Sequence, residues 1–406
     1  MKRLSLIGLA IGSALLSACS NPLGLPHYGS ASGTFAGRLT PPRSAPPATP
    51  GPAKAPNPLL VYNGSFYGTT QFGGQYGGGE LFSLAPSGLY KTLYAFKAYG
   101  LPLGGLAAVS GTLYGTSAAA GHGGSGRVFG VRAADGKLVF EYDFRGVPDG
   151  ANPNAGLVDG GNGTLYGTTL NGGAHGNGSI YSIATATGKE SVLFSFGAAS
   201  DGDSPSDRLT LKDGTLYGTT ESGGPGCGCG TVFAYDLASG HEKILYAFRD
   251  GSDGYQPVGG VTYVNGKLYG STSLGGNGQN CFGLGCGTVY SVDLSTGTER
   301  VLYRFAPPMG DLPYSDLTPY NGKLYGTTLI DGKGVGQGHG TIFSVDPETG
   351  TVSIVHRFAR LEGSWPQDLV AFGGHLYGNA QQGGSNRRGT IFRFDPPGTV
   401  TPIFNF

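Results

Sequence analysis

The chain has 406 residues, with 26 Lys+Arg against 26 Asp+Glu and so no net charge, which leaves no basic footprint for nucleic acid. Glycine (78) and proline (26) fill about a quarter of it, a share that in itself suggests low complexity. Against that, 23 Tyr, 21 Phe and 1 Trp supply a core while charged residues reach only 13%, so the chain is expected to fold, mostly without helices.

Met1-Lys2-Arg3 is a basic start, and Leu4 to Leu16 is an apolar run too short to span a membrane as an ordinary helix. Residues 1–18 therefore read as a signal peptide. The run ends in Leu16-Ser17-Ala18-Cys19, which resembles the lipobox of bacterial lipoproteins; the alternative is a plain secretory signal with an incidental cysteine. The resemblance makes Cys19 the lipidation site and the first mature residue. Each buried CH₂ of the acyl chains adds roughly 0.8 kcal/mol to the anchor. Ser20 follows the cysteine where Asp would signal inner-membrane retention, so in a Gram-negative cell the resemblance implies the outer membrane.

Residues 19–58 form the lipidated cysteine and a linker. Asn21 to Pro58 holds ten prolines and no apolar periodicity, the composition of a tether.

Residues 59–406 are one unit repeated seven times. An apolar-Tyr-Gly tripeptide, usually continued by Thr-Thr, recurs at Tyr67, Tyr114, Tyr166, Tyr217, Tyr269, Tyr325 and Tyr377, a mean period close to 52 residues. That period lies near the ~50 residues of kelch-type repeats and above that of helical ones. Residues 261–305 display the parse. Val261 to Val264 is a strand, Asn265-Gly266 a tight hairpin turn, and Lys267 to Thr272 the returning strand. After a Gly-rich loop, Gly287 to Val292 and Glu299 to Phe305 give two more strands, the last ending in the aromatic pair Tyr303/Phe305. Equivalent pairs are Tyr94/Phe96, Tyr142/Phe144, Phe194/Phe196, Tyr246/Phe248 and Phe404/Phe406.

The predicted fold is all-β: a seven-bladed β-propeller with four antiparallel strands per blade. The last strand ends on Phe406, so closure is expected by packing of blade one on blade seven, with no strand shared across the seam. An open solenoid is the alternative, and four strands per unit are too many for one coil. The repeated tyrosines are read as blade-to-blade packing, and the Gly after each as a place where a neighbouring backbone approaches.

The pattern Asn-Gly-x-Leu-Tyr-Gly-Thr-Thr, then Gly-Gly, then Gly-Thr-Val-Phe-Ser-Val resembles the GloVer-type tandem repeat of bacterial envelope proteins. The resemblance covers essentially all of residues 59–406, implies an anchored repeat protein and brings no catalytic residues. The layout also looks kelch-like, with two departures: Gly-Thr-Thr replaces Gly-Gly after the second strand, and the fourth strand ends in Phe in place of Trp.

Tight turns join strands one to two and three to four. The Gly-rich loops and the crossovers between blades therefore share the opposite face, where binding residues are expected. Aromatic residues placed there are Phe72, Tyr76, Tyr99, Tyr255, Phe282, Tyr314 and Trp365, candidates for stacking on a sugar or receiving a partner's apolar anchor. Trp365 has no Trp counterpart in the other blades, so repeat packing does not account for it.

The crossovers carry Asp149, Asp201, Asp253, Asp311 and Glu362, four of them followed by glycine. They are read as turn formers, and alternatively as the dispersed acid pair of a polysaccharide hydrolase or lyase. Asp201-Gly202-Asp203 is too small a fragment for a calcium site.

Cys227, Cys229, Cys281 and Cys286 lie in the Gly-rich loops of adjacent blades, where export favours disulfides. Three connectivities are open; the within-loop pairs 227 with 229 and 281 with 286 are favoured, with a four-thiolate zinc site as the alternative. His122, His175 and His339 fall at unlike offsets from the following strand and make no common metal site. Neither cofactor nor metal is expected. The sequence thus predicts a monomeric, lipid-anchored, non-catalytic propeller that binds a carbohydrate or an envelope protein through its loop face.

Overall fold

A computed structural model describes residues 51–97, 100–197, 200–249, 251–276, 281, 284–331 and 338–406. Cys19, the tether as far as residue 50, Tyr99 and Phe282 lie outside the described residues. The described chain forms seven antiparallel sheets of four or five strands, each drawn from one continuous stretch of sequence. Blade four is representative: Thr210–Lys212, Thr215–Thr220, Thr231–Asp236 and His241–Ala247 pair in chain order. First strands of neighbouring blades touch one another, which places them around the axis and the fourth strands at the rim. Among the described residues no helix is long and apolar enough to cross a membrane.

The hairpin turns follow from their residues. Asn265 and Gly266 both have positive φ (48° and 78°), as the tight turn between strands one and two requires.

The apolar clusters lie between blades, so the seams are the core. In every seam the closing Phe of one blade's fourth strand meets the aromatic ring of the next blade's third strand. The contacts are Phe96–Phe129, Phe144–Tyr181, Phe196–Phe233, Phe248–Tyr290, Phe305–Phe343 and Phe358–Phe392, with centroids 4.8–5.2 Å apart. Phe406–Phe82, at 5.5 Å, closes the ring. Blade six keeps the aromatic pair with a histidine in the first position, His356/Phe358. The tyrosines of the repeat also join these clusters: Tyr114 packs against residues of blade three, and Tyr377 against Phe66 and Phe82 of blade one.

The Gly-Thr-Thr motif has three separate tasks. Its glycine lies beneath the third-strand ring of its own blade: a Cβ at Gly218 would stand 2.6 Å from Phe233 Cζ. The close approach is therefore made by an aromatic side chain, where the sequence suggested a backbone. The first Thr reaches into the next blade, as Thr116 Oγ1 donates to Ala155 O (2.9 Å) and Thr219 Oγ1 to Gly259 O (3.2 Å). The second Thr bonds the third strand, as in Thr220–Thr231 (2.9 Å) and Thr272–Thr288 (2.9 Å).

Closure proceeds by packing, and blade seven takes all four strands from residues 364–405. The tether, however, gives up its last residues to the ring. Gly51–Pro56 runs as a strand against the second strand of blade one. Ala55 N–H donates to Arg388 O (3.0 Å), and Asn379 Nδ2 donates to Pro56 O (2.6 Å), both across the closing seam. The physical reason is the repeat itself. Pro56 occupies the place held by Pro153, Pro205, Pro257, Pro313 and Pro366 elsewhere, each ring pressed on the Gly that opens the preceding blade's third strand. Without Pro56, Gly389 would face no such ring. The propeller thus takes in residues 51–58 as well as 59–406.

Candidate functional site on the loop face and channel mouth

The crossovers and Gly-rich loops do share one face, but most of its polar side chains are committed to the seams. Asp149 accepts hydrogen bonds from Gly150 N (2.7 Å), Arg145 N (2.9 Å) and Tyr142 OH (3.1 Å). The same tyrosine donates toward Glu190 of the next blade (3.2 Å). Asp253 repeats the pattern, accepting from Tyr246 OH (2.7 Å) and Arg249 N (3.0 Å), with Glu299 of the next blade as its acidic neighbour. Asp201 accepts from Gly197 N (2.7 Å) and faces Glu242. Burial, reinforced by the neighbouring aspartate, pushes Glu190, Glu242 and Glu299 each up to about 7. Glu362 accepts from Ala359 N (2.7 Å) and pairs with His356 Nε2 (3.0 Å). Four of the five acids singled out in the crossovers, all but Asp311, are therefore turn and seam groups. The structure brings no two of them together as a catalytic pair.

The candidate aromatics separate in the same way. Tyr76 is exposed at 46%. Phe72 lies half-buried in the second strand of blade one, which the added strand 51–56 extends to Gly74. Tyr255 packs on the apolar cluster of blades four and five, and its backbone pairs with Leu274. Tyr314 is half-buried beside Glu221 and Asp207. Trp365, also half-buried, has positive φ (59°), and its backbone N–H donates to His339 O (3.3 Å). That backbone state recurs before each seam proline, at Ala55, Leu101, Asn152, Ser204, Gln256 and Leu312. The position of Trp365 thus belongs to the repeat, and only its indole is particular to blade seven.

Cys227 is joined to Cys229, and Cys281 to Cys286, the within-loop pairing. His122 and His175 are exposed, while His339 Nδ1 bonds Ser364 Oγ (2.7 Å), so the three histidines share no site.

What the structure does bring together lies in the axial channel. The residue before each innermost apolar position forms one level of the wall: Pro58, Gly105, Gly156, Arg208, Gly260, Asp316 and Asp368. Asp368 Oδ1 accepts from Asp316 N (2.9 Å), and Asp316 Oδ1 from Gly260 N (2.8 Å). Arg208 reaches Asp316 at 3.7 Å, and Asp207 is near enough to Asp316 and Asp368 to feel their charges. Burial, then the charge of Asp316, pushes Asp368 up to about 7; burial and the charges of Asp316 and Asp368 hold Asp207 well above the ordinary carboxylate range. This acidic arc with one guanidinium was missed in the sequence. Its signal was available by aligning the residue before Leu59, Leu106, Leu157, Leu209, Val261, Leu317 and Leu369.

The Gloeobacter/Verrucomicrobia repeat matches the chain over residues 54–284 and 228–406. No curated protein matches it. Among solved structures, an extracellular domain of BT4673 from B. thetaiotaomicron superposes with TM-score 0.54 at 11% identity, over 84% of this chain and 38% of that one. BamB from Moraxella catarrhalis gives 0.48 at 14% identity, over 83% and 85%. A nidogen/laminin complex gives 0.40 at 14% identity, over 66% and 86%. At these identities the likeness concerns the fold alone.

Proposed function

The chain belongs to the Gloeobacter/Verrucomicrobia repeat family, and we propose that it is an envelope lipoprotein, anchored through Cys19, whose propeller binds a protein or glycan without catalysis. The observation that carries the reading is the distribution of exposed apolar side chains. Of the seven exposed large apolar side chains among the described residues, Tyr76 (46%), Val147 (65%), Met309 (38%) and Leu361 (70%) stand in loop-face connections, Val139 and Val192 in fourth strands, and Leu89 in a turn of the opposite face. Most acids of the same face are held in seams, which leaves these apolar side chains available for the kind of contact that anchors a partner. The Ser20 position argues for the outer membrane.

The test uses the full-length lipidated chain in detergent micelles. Photo-crosslinking in isolated envelopes and binding to a panel of envelope polysaccharides are followed together, with release of new reducing ends measured in the same wells. Saturable capture, weakened at least tenfold by Leu361→Glu and by Tyr76→Ala, without sugar release, supports the reading. Capture that is indifferent to both substitutions and to Trp365→Ala sinks it.

A second reading, a polysaccharide hydrolase or lyase, rests on one observation: Asp316 and Asp368 lie together in the channel and Asp368 keeps a proton near neutrality. Sugar release abolished by Asp368→Asn would establish it.

A further inference from the structure

In blade five the Gly-rich loop and the following crossover bring a disulfide at the edge of the seam cluster together with a carboxyl that makes no seam pair. Cys281 and Cys286 are joined, and a carboxylate oxygen of Asp311 lies within 4.8 Å of both sulfurs. Asp311 is 3% exposed, and its Oδ1 has no hydrogen-bond partner among the described residues. Burial pushes this carboxyl up to about 7, with only the Leu312 N–H opposing. Cys286 is buried at 1%, whereas Cys281 is partly open to solvent. Blade four provides the contrast. Its Cys227–Cys229 bridge occupies the equivalent loop, but the residue two before the seam proline is Tyr255, where blade five has Asp311.

A buried acceptor with no donor is unfavourable, and a disulfide offers it none. A thiol on Cys286 would. The carboxyl therefore favours the reduced pair, and when protonated it can supply the proton that a departing Cys286 thiolate needs.

We propose that Cys281–Cys286 is an exchange-active disulfide, reduced by a partner of the dithiol oxidoreductase class, with Asp311 as proton donor to Cys286. A partner thiolate attacks Cys281 Sγ, the S–S bond breaks, and a mixed disulfide forms while Cys286 leaves as thiolate and takes the Asp311 proton. The partner's second thiolate then attacks its own sulfur in the mixed disulfide and frees Cys281, which is protonated by solvent, as Asp311 is in turn. The partner loses two electrons and becomes a disulfide; the protein gains two thiols.

The test equilibrates the full chain with mixtures of reduced and oxidised dithiothreitol, followed by alkylation and peptide mass analysis of each pair. Cys281–Cys286 is expected to reduce with an equilibrium constant at least tenfold larger than that of Cys227–Cys229. Asp311→Leu removes the orphan acceptor and should lower that constant about tenfold, the equivalent of one unmet buried hydrogen bond, leaving Cys227–Cys229 unmoved. Asp311→Asn keeps the side-chain shape. In the wild type the reduction rate per dithiothreitol thiolate should fall as pH rises through 7, and in this variant it should be flat. Equal constants for the two pairs, or a shift under twofold in Asp311→Leu, would overturn the proposal. If Asp311→Leu also moves the blade-four pair, the fold is affected and the Asp311→Asn profile decides: the same pH dependence as wild type refutes the role of Asp311.

Discussion

Three consecutive seams carry a carboxyl pair, and their effect on stability has a definite sign. Glu190, Glu242 and Glu299 are raised from the ordinary 4.5 to about 7 by burial and by Asp149, Asp201 and Asp253 respectively. Between those two values the folded chain holds protons that the unfolded chain has lost. Stability contributed by the pairs is thus complete below pH 4.5 and declines as pH rises through 7. The full gap corresponds to an upper bound of about 3 kcal/mol per glutamate. Each glutamate is only half-buried, and solvent screening reduces that to about 1 kcal/mol, or about 3 kcal/mol for the set. The perturbation is the triple substitution Glu190→Gln, Glu242→Gln, Glu299→Gln, which makes the protonated form permanent. Urea unfolding of both proteins at pH 4, 5, 6 and 8, disulfides intact, gives the comparison. The variant should come within about 0.5 kcal/mol of the wild type at pH 4, draw ahead between pH 4.5 and 7, and exceed it by about 3 kcal/mol at pH 8. Asp311 and Asp368 titrate in the same window in both proteins, so only the difference between the two curves bears on the glutamates. Parallel curves over the whole range, or a variant less stable at pH 8, would refute the shared-proton account.

Other substitutions test the closing seam and the repeat motif. Phe406→Ala removes the ring that meets Phe82 and Tyr90 and should cost about 3–5 kcal/mol in denaturant unfolding; a loss under 1 kcal/mol would mean that the seam is closed by something else. A chain lacking residues 51–56 should lose hydrogen-exchange protection at the blade-seven third strand, Thr390–Asp395, while blades three to five keep theirs; unchanged protection would return these residues to the tether. Gly218→Ala, with a Cβ 2.6 Å from Phe233 Cζ, should destabilise by about 1–3 kcal/mol, whereas Gly266→Ala in the open turn loses only what its positive φ costs.

The architecture was legible because it is written seven times. One blade can be misread, but an Asn-Gly turn, a Tyr-Gly-Thr strand and an aromatic pair recurring near 52 residues leave only one arrangement of strands. What a period does not carry is a contact between units. Asp149 shows its turn chemistry in sequence, yet its partner Glu190 lies on a strand of the next blade, and only the register of that strand joins them. Pro56 was hidden by its neighbours: inside a proline-rich tether, one more proline gives no sign that it takes the place held by five others in the ring. The aromatics show the same limit. Loop position suggested exposure for Tyr255 and Phe72, and both are half-buried, Tyr255 against the seam cluster and Phe72 in the strand that residues 51–56 extend.

The seams share one apolar device and differ in the polar one placed above it. Where a crossover presents Asp149, Asp201 or Asp253, the following blade answers with Glu190, Glu242 or Glu299 four residues before its aromatic pair. Where the crossover has Met309, the answering residue is Val352, and where it has Glu362 the neighbour is His356 of the preceding blade. Acid is thus matched by a protonatable group, and methionine by an apolar one, within a single chain. The same unevenness marks the channel, whose wall is Pro58, Gly105 and Gly156 on one arc and Arg208, Asp316 and Asp368 on the rest, parted only by Gly260. Met309 and Leu361, two of the exposed apolar side chains, stand in the crossovers leading into blades six and seven, which carry Asp316 and Asp368. A partner approaching the loop face therefore meets apolar contacts outside and carboxylates inside over the same two blades. That sector, and not the ring as a whole, is where substitutions should separate binding from folding.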